Sequence, residues 1–163
     1  MKKIVKTLIF GRTLGVTLIS VACILLTAAF ACETGGDKAP PDNELQSIVK
    51  ETSADFANAI DTEDFSRLYD KASSDFQSTY TVDQTKTAFQ SFIDKKGSVV
   101  PSLKNAASMT PAFSPAPAIR SEKGLNILVA KGEFPSKPYS VKFEYEYVWR
   151  DGGWKLLKLV VNM

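Results

Sequence analysis

The stretch YSVKFEYEYVWRDGGWKLLKLVVN restricts the fold more than any other part of the chain. Val141, Phe143, Tyr145, Tyr147 and Trp149 alternate with Lys142, Glu144, Glu146 and Arg150. A period of two sends successive side chains to opposite faces of a strand, so this is a strand pattern and not a helical stripe. Asp151-Gly152-Gly153 supplies a turn, and WKLLKLVVN returns as a second strand. LNILVAKGEF upstream is a third. The result is an antiparallel meander. Its last strand reads as apolar on both sides, with Trp154, Leu156 and Val160 on one and Leu157, Leu159 and Val161 on the other. A sheet with one wet face alternates. Two-sided apolarity therefore implies cover for the outer face, either from the same chain or from a second copy in a homodimer through the sheet.

Before the strands the period is helical. Leu45, Ile48, Val49, Thr52, Phe56, Ala59 and Ile60 form one stripe. Pro40-Pro41 stops it extending backwards, and Asn43 with Gln46 predicts a capping box. Asp61-Thr62 interrupts the stripe; Phe65, Leu68, Tyr69 and Ala72 continue it on a second helix. Thr81 with Gln84 caps a third, with Thr85, Ala88, Phe89, Phe92 and Ile93 on its buried side and Lys95-Lys96-Gly97 as its stop. Pro101, Pro111, Pro115 and Pro117 then predict short edge strands and turns. The fold class is α+β, with three N-terminal helices packed on one face of a curved antiparallel sheet.

The N-terminus carries an address. Lys2, Lys3, Lys6 and Arg12 precede 20 uncharged positions, residues 13–32. A basic lead, an apolar middle and small residues at the end make a signal peptide over residues 1–31. Ala29-Phe30-Ala31-Cys32 resembles a bacterial lipobox, with Ala29 in place of the usual Leu. Cys32 is therefore the expected lipid-attachment residue and the link to the membrane. Cys23 is a weaker alternative, because cutting there leaves ILLTAAFA on the mature chain. Plain secretion after Ala31 and an uncleaved anchor are the other readings. Residues 32–42, rich in Gly, Pro and charge, are expected to be a flexible tether. Residues 43–163 are then one domain.

Several function classes are closed by composition. Cys23 and Cys32 are the only 2 cysteines, so a chain lipidated at Cys32 has no disulfide. With 0 histidines there is no His triad, and no metal or cofactor is expected. Setting aside the four basic residues of the leader leaves 16 of the 20 cations against 18 acids, with no basic stripe for nucleic acid.

FANAIDTEDFSRLYDKASSDFQ resembles the opening helices of the nuclear transport factor 2-like superfamily, and FEYEYVWRDGGWKLLKLVV resembles its closing hairpin. The resemblance implies a curved sheet around a helix with a cone-shaped pocket. The superfamily includes isomerase-like enzymes, dehydratases, carriers and non-enzymatic modules. The isomerases need a pocket carboxylate and a tyrosine donor. Here Glu144 and Glu146 oppose the aromatic face of their strand, and the histidine of the dehydratases is missing. Asp55, Asp64, Asp70 and Asp75 read as solvated or capping residues, and Arg67 and Arg120 as solvated or surface-paired. No catalytic residue is assigned. Phe56, Phe65, Tyr69, Phe89, Phe143, Tyr145 and Tyr147 are expected to line or fill the cone. An open cone takes an apolar or aromatic ligand, with Tyr145 and Tyr147 orienting it. The expected function is an exported, lipid-anchored, non-enzymatic binding or interaction domain facing the periplasm or cell exterior. A small-molecule carrier is the alternative, and an isomerase- or dehydratase-like enzyme a more distant one.

Overall fold

The computed structural model describes residues 36–163. The signal peptide, Cys23 and Cys32 lie outside the described residues.

Helix α1, Asp42–Thr62, starts directly after Pro41, whose backbone is extended at φ −60°, ψ 155°. The expected Asn43 capping box is absent: the helix begins one residue earlier, so Asn43 already lies in its first turn, and no side chain caps the end. Asp42 and Glu44 complement the helix dipole there. Leu45, Val49, Phe56, Ala59 and Ile60 are buried as the stripe predicts. Two short helices follow, α2 (Ser66–Asp70) and α3 (Ser74–Thr79).

The single third helix expected from Thr81 onward is divided. It consists of α4, Val82–Ala88, and α5, Gln90–Ile93, broken at Phe89 with φ −109°, ψ 18°. The Thr81–Gln84 capping box forms in both directions, at 2.9 and 3.2 Å. Ala88, expected inside, is exposed. At the break the Phe89 ring meets Phe56 edge-on at 4.8 Å and stacks on Phe65 at 6.0 Å.

Lys95-Lys96-Gly97 does not end the helical region, because α6 runs Lys96–Ser108 through the segment read as strands and turns. Pro101 lies inside it with its ring exposed. A proline in a helix interior costs ~3 kcal/mol. Val100, Leu103 and Ala106 recur at helical spacing and are buried where α6 packs along α1. Burying each Val or Leu contributes about 1.5–3 kcal/mol, enough to offset the proline. Lys104–Asp61 and Lys96–Glu63 pairs, both at 2.6 Å, tie α6 to the end of α1 and to the residue that follows it.

The sheet is antiparallel: β1 (Ala112–Phe113), β2 (Ala118–Glu122), β3 (Leu125–Phe134), β4 (Val141–Arg150) and β5 (Gly153–Asn162). β1 and β2 both pair with β3, followed by β4 and then β5. Asp151 and Gly152, at φ 51° and 74°, make the two-residue turn that matches strand twist.

The register of β5 overturns its sequence reading. Glu146 pairs with Lys158 but Tyr147 pairs with Leu156, so Leu157 is an unpaired bulge residue. The phase of the strand reverses there. Trp154, Leu156, Leu159 and Val161 oppose the inward residues Trp149, Tyr147, Tyr145 and Phe143. Lys155, Lys158, Val160 and Asn162 oppose the outward residues Val148, Glu146, Glu144 and Lys142. β5 is not apolar on both faces, and the premise for a homodimer through the sheet falls. The outer face carries charge instead: Lys158 reaches Glu144 at 2.6 Å and Glu146 at 3.3 Å, and Arg120 reaches Glu146 at 2.9 Å. Inside, α1 packs its buried stripe on the aromatic face of β4. The unit of residues 34–163 contains this core.

Candidate functional site

The residues expected to line a cone are a filled core. Phe56, Phe65, Phe143, Tyr145 and Tyr147 are each at most 2% exposed, with Tyr69 and Phe89 partly buried against them. Phe143 touches Phe134 at 5.1 Å and Tyr145 at 5.0 Å between ring centres. The phenols are occupied as well. Ser53 Oγ donates its one proton to the Val49 carbonyl at 2.9 Å, so Tyr145 is the donor in the 3.0 Å contact between the two hydroxyls. Tyr147 donates to Thr52 Oγ1 at 3.0 Å. Burial pushes both phenols well above their ordinary range, the hydroxyl partners only partly opposing it. They are neutral donors whose protons are already committed to α1. Orientation of a ligand by these phenols was expected only for an open cone, and here both protons are engaged within the core.

The charged candidates are also engaged. Asp55, expected on a solvated face, is 6% exposed. Arg67 Nε holds one of its oxygens at 2.9 Å and Lys71 Nζ the other at 2.6 Å. Lys71 also reaches Glu51 at 2.7 Å. Burial works against the Lys71 charge, but the Asp55 and Glu51 hydrogen bonds outweigh it and raise the ammonium pKa. Glu51, Asp55 and Lys71 rim a cleft of about 280 Å³ whose apolar side is Ile48, Leu68 and Trp154. Their arrangement is a clamp of α2 onto α1. Asp64 accepts from the Ser66 amide at 2.9 Å in the turn that leads into α2, and Asp75 pairs with Arg150 at 3.0 Å. Glu146 points away from the aromatic face as expected, yet is 6% exposed between Arg120 and Lys158. Among the described residues no cluster of three metal-ligating side chains occurs, and no helix is long and apolar enough to cross a membrane.

An open groove of about 610 Å³ lies where α3 and α4 meet β5. Phe76, Tyr80, Ala88, Phe89, Leu157 and Leu159 give it an apolar surface, and Asp75, Glu146 and Lys158 a charged border. Tyr80 is 48% exposed and its ring lies 5.1 Å from Phe76. β5 is the edge strand here; α3 is tied to it above the bulge, where the Ser73 amide donates to the Leu156 carbonyl at 2.8 Å. Tyr80 and Leu157 were not among the sequence candidates. The available signal was Leu157 itself, an apolar residue between Lys155 and Lys158 whose phase fits neither face.

The expected tether of residues 32–42 is docked over its described part. Gly36 is buried at φ +100°, and a Cβ there would sit 2.6 Å from the Trp149 Cβ, so a side chain has neither room nor favourable backbone. Asp37 accepts from Asn126 Nδ2 at 2.8 Å. Gly36 to Pro40 lie beside Trp149 and Trp154, whose rings cross edge-on at 5.5 Å.

Comparisons of this chain with protein families, curated proteins and solved structures find no match.

Proposed function

We propose that this is an exported bacterial protein, lipid-anchored at Cys32, whose domain is a non-enzymatic interaction module of nuclear transport factor 2-like type. The helices preceding an antiparallel sheet and the bulged closing hairpin support that fold kinship. The observation that carries the functional reading is the filled core: Tyr145 and Tyr147 give their protons to Ser53 and Thr52, while the groove at β5 stays open. Binding then belongs on the surface, at Tyr80 and Leu157. The groove volume of about 610 Å³ also exceeds the ~300 Å³ at which drug-sized pockets begin, so a carrier of a small apolar molecule is the second reading.

Intact mass of the membrane-purified protein tests the anchor; Cys32→Ser should lose the lipid mass. A photo-crosslinking amino acid at Leu157 in intact cells tests the groove, with Gly97 as the control position. A discrete protein adduct at Leu157 alone is the expected result. Saturable binding of anilinonaphthalene sulfonate that Leu157→Glu abolishes, with no protein adduct, would replace the module by the carrier.

A further inference from the structure

The docked segment beside Trp149 sets how far a lipid at Cys32 can stand from the domain. Gly36 is buried under Trp149, Asp37 is bonded to Asn126, and Pro41 leads straight into α1. The connection from Cys32 to the first docked residue is four residue steps, at most ~14 Å whatever its conformation. A folded chain of this length has a radius of gyration of about 14 Å, hence a diameter of roughly 36 Å. The leash is shorter than the domain radius. Only the end of the domain that carries Gly36 can meet the bilayer to which the lipid is attached.

That end is defined by the sheet. β3 begins there at Leu125, β4 ends at Arg150 and β5 begins at Gly153, so the Lys123-Gly124 and Asp151-Gly152 turns lie together. Trp149 and Trp154 lie just behind them, beside the docked segment. Charge adds little: Arg150 is already paired with Asp75, and Asp37 and Asp151 balance Lys38 and Lys123.

We propose that this turn end is a lipid-apposed surface, held against the bilayer by the short leash from Cys32 with the groove at β5 facing sideways above it. The inference rests on the anchoring at Cys32 proposed above. The two are separable, because Cys32 is the only cysteine in the chain from residue 32 onward and accepts a maleimide lipid chemically.

The chain carries 2 tryptophans, and both are at this end. Residues 32–163 coupled at Cys32 to a maleimide phospholipid are placed in phosphatidylethanolamine–phosphatidylglycerol vesicles with a dansyl-headgroup lipid as energy acceptor. Strong transfer is expected, falling at least two-fold when ten Gly/Ser residues are inserted between Thr34 and Gly35, which lengthens the leash by about 10 Å on average. Hydrogen exchange on the same vesicles should show protection of residues 150–155 and none of residues 95–98. Transfer indifferent to the insertion, or equal protection at the two ends, would overturn the surface. If cells leave Cys32 unmodified while the coupled chain behaves as expected, the anchoring reading fails and the geometry stands.

Discussion

The Tyr147–Thr52 contact joins the sheet to α1 inside the core, and its two halves should respond unequally to mutation. Tyr147 is 1% exposed and its hydroxyl donates to Thr52 Oγ1 at 3.0 Å. Thr52→Val keeps the branched shape and removes the acceptor, which leaves a buried phenol proton unmatched. That costs about 1–3 kcal/mol. Tyr147→Phe removes the donor and leaves a threonine hydroxyl that is 8% exposed and can still bond within its own helix. Its cost should be the ordinary net value of one hydrogen bond, about 0.5–1.5 kcal/mol. With both groups gone nothing polar is stranded, so the double variant should be no less stable than Thr52→Val alone. The predicted coupling is therefore about 1 kcal/mol or more and favours the pair. Urea unfolding of residues 34–163 followed by tryptophan fluorescence measures it, with an unchanged m-value confirming two-state comparison. Additive single effects within ~0.3 kcal/mol would refute the argument that the phenol depends on α1 for its partner.

Deleting Leu157 should leave the domain folded, because loss of the unpaired bulge residue keeps Trp154 and Leu156 inward and Lys155 and Lys158 outward in plain alternation, and unfolding of that variant would refute the register; Leu157→Ala in the same urea assay should cost less than about 1 kcal/mol. Lys71→Met should destabilise by about 1–3 kcal/mol through the loss of one Asp55 partner, read by thermal melting, and an unchanged melting temperature would mean that Arg67 alone suffices. The Lys158 hydrogen bond, ahead of the opposing effect of burial, holds the Glu144 carboxyl below the usual range, so its contribution is present above pH ~4.3 and lost as pH falls through the lowered value. Lys158 itself is raised by Glu144 first and Glu146 also, so its contribution is present below pH ~10.4 and lost above. Both side chains are substantially solvated, which limits the effect to ~0–1 kcal/mol, and Lys158→Met should flatten both limbs of the stability–pH curve. Gly36→Val should displace the docked segment, seen as faster exchange at residues 36–41 and a shifted Trp149 emission, with the melting temperature of the remaining core nearly unchanged.

What the sequence alone determined is local. The alternation in β4, the Asp151-Gly152 turn, the apolar stripe of α1 and the Thr81–Gln84 capping box depend on neighbours within a few positions, and each appears where its pattern places it. Tertiary structure decided the rest. The helical spacing of Val100, Leu103 and Ala106 was visible, but Pro101 and Gly97 argued against a helix, and only burial against α1 outweighs them. The bulge at Leu157 exists because β5 must keep Trp154 and Leu156 in phase with Trp149 and Tyr147 at one end and Leu159 and Val161 in phase with Tyr145 and Phe143 at the other; the partner strand defines that phase. Whether seven aromatics line a cone or fill it turns on the distance between α1 and β4, which no window of sequence contains. Two hydroxyls on α1, Thr52 and Ser53, closed the question by meeting Tyr147 and Tyr145 at 3.0 Å across the core.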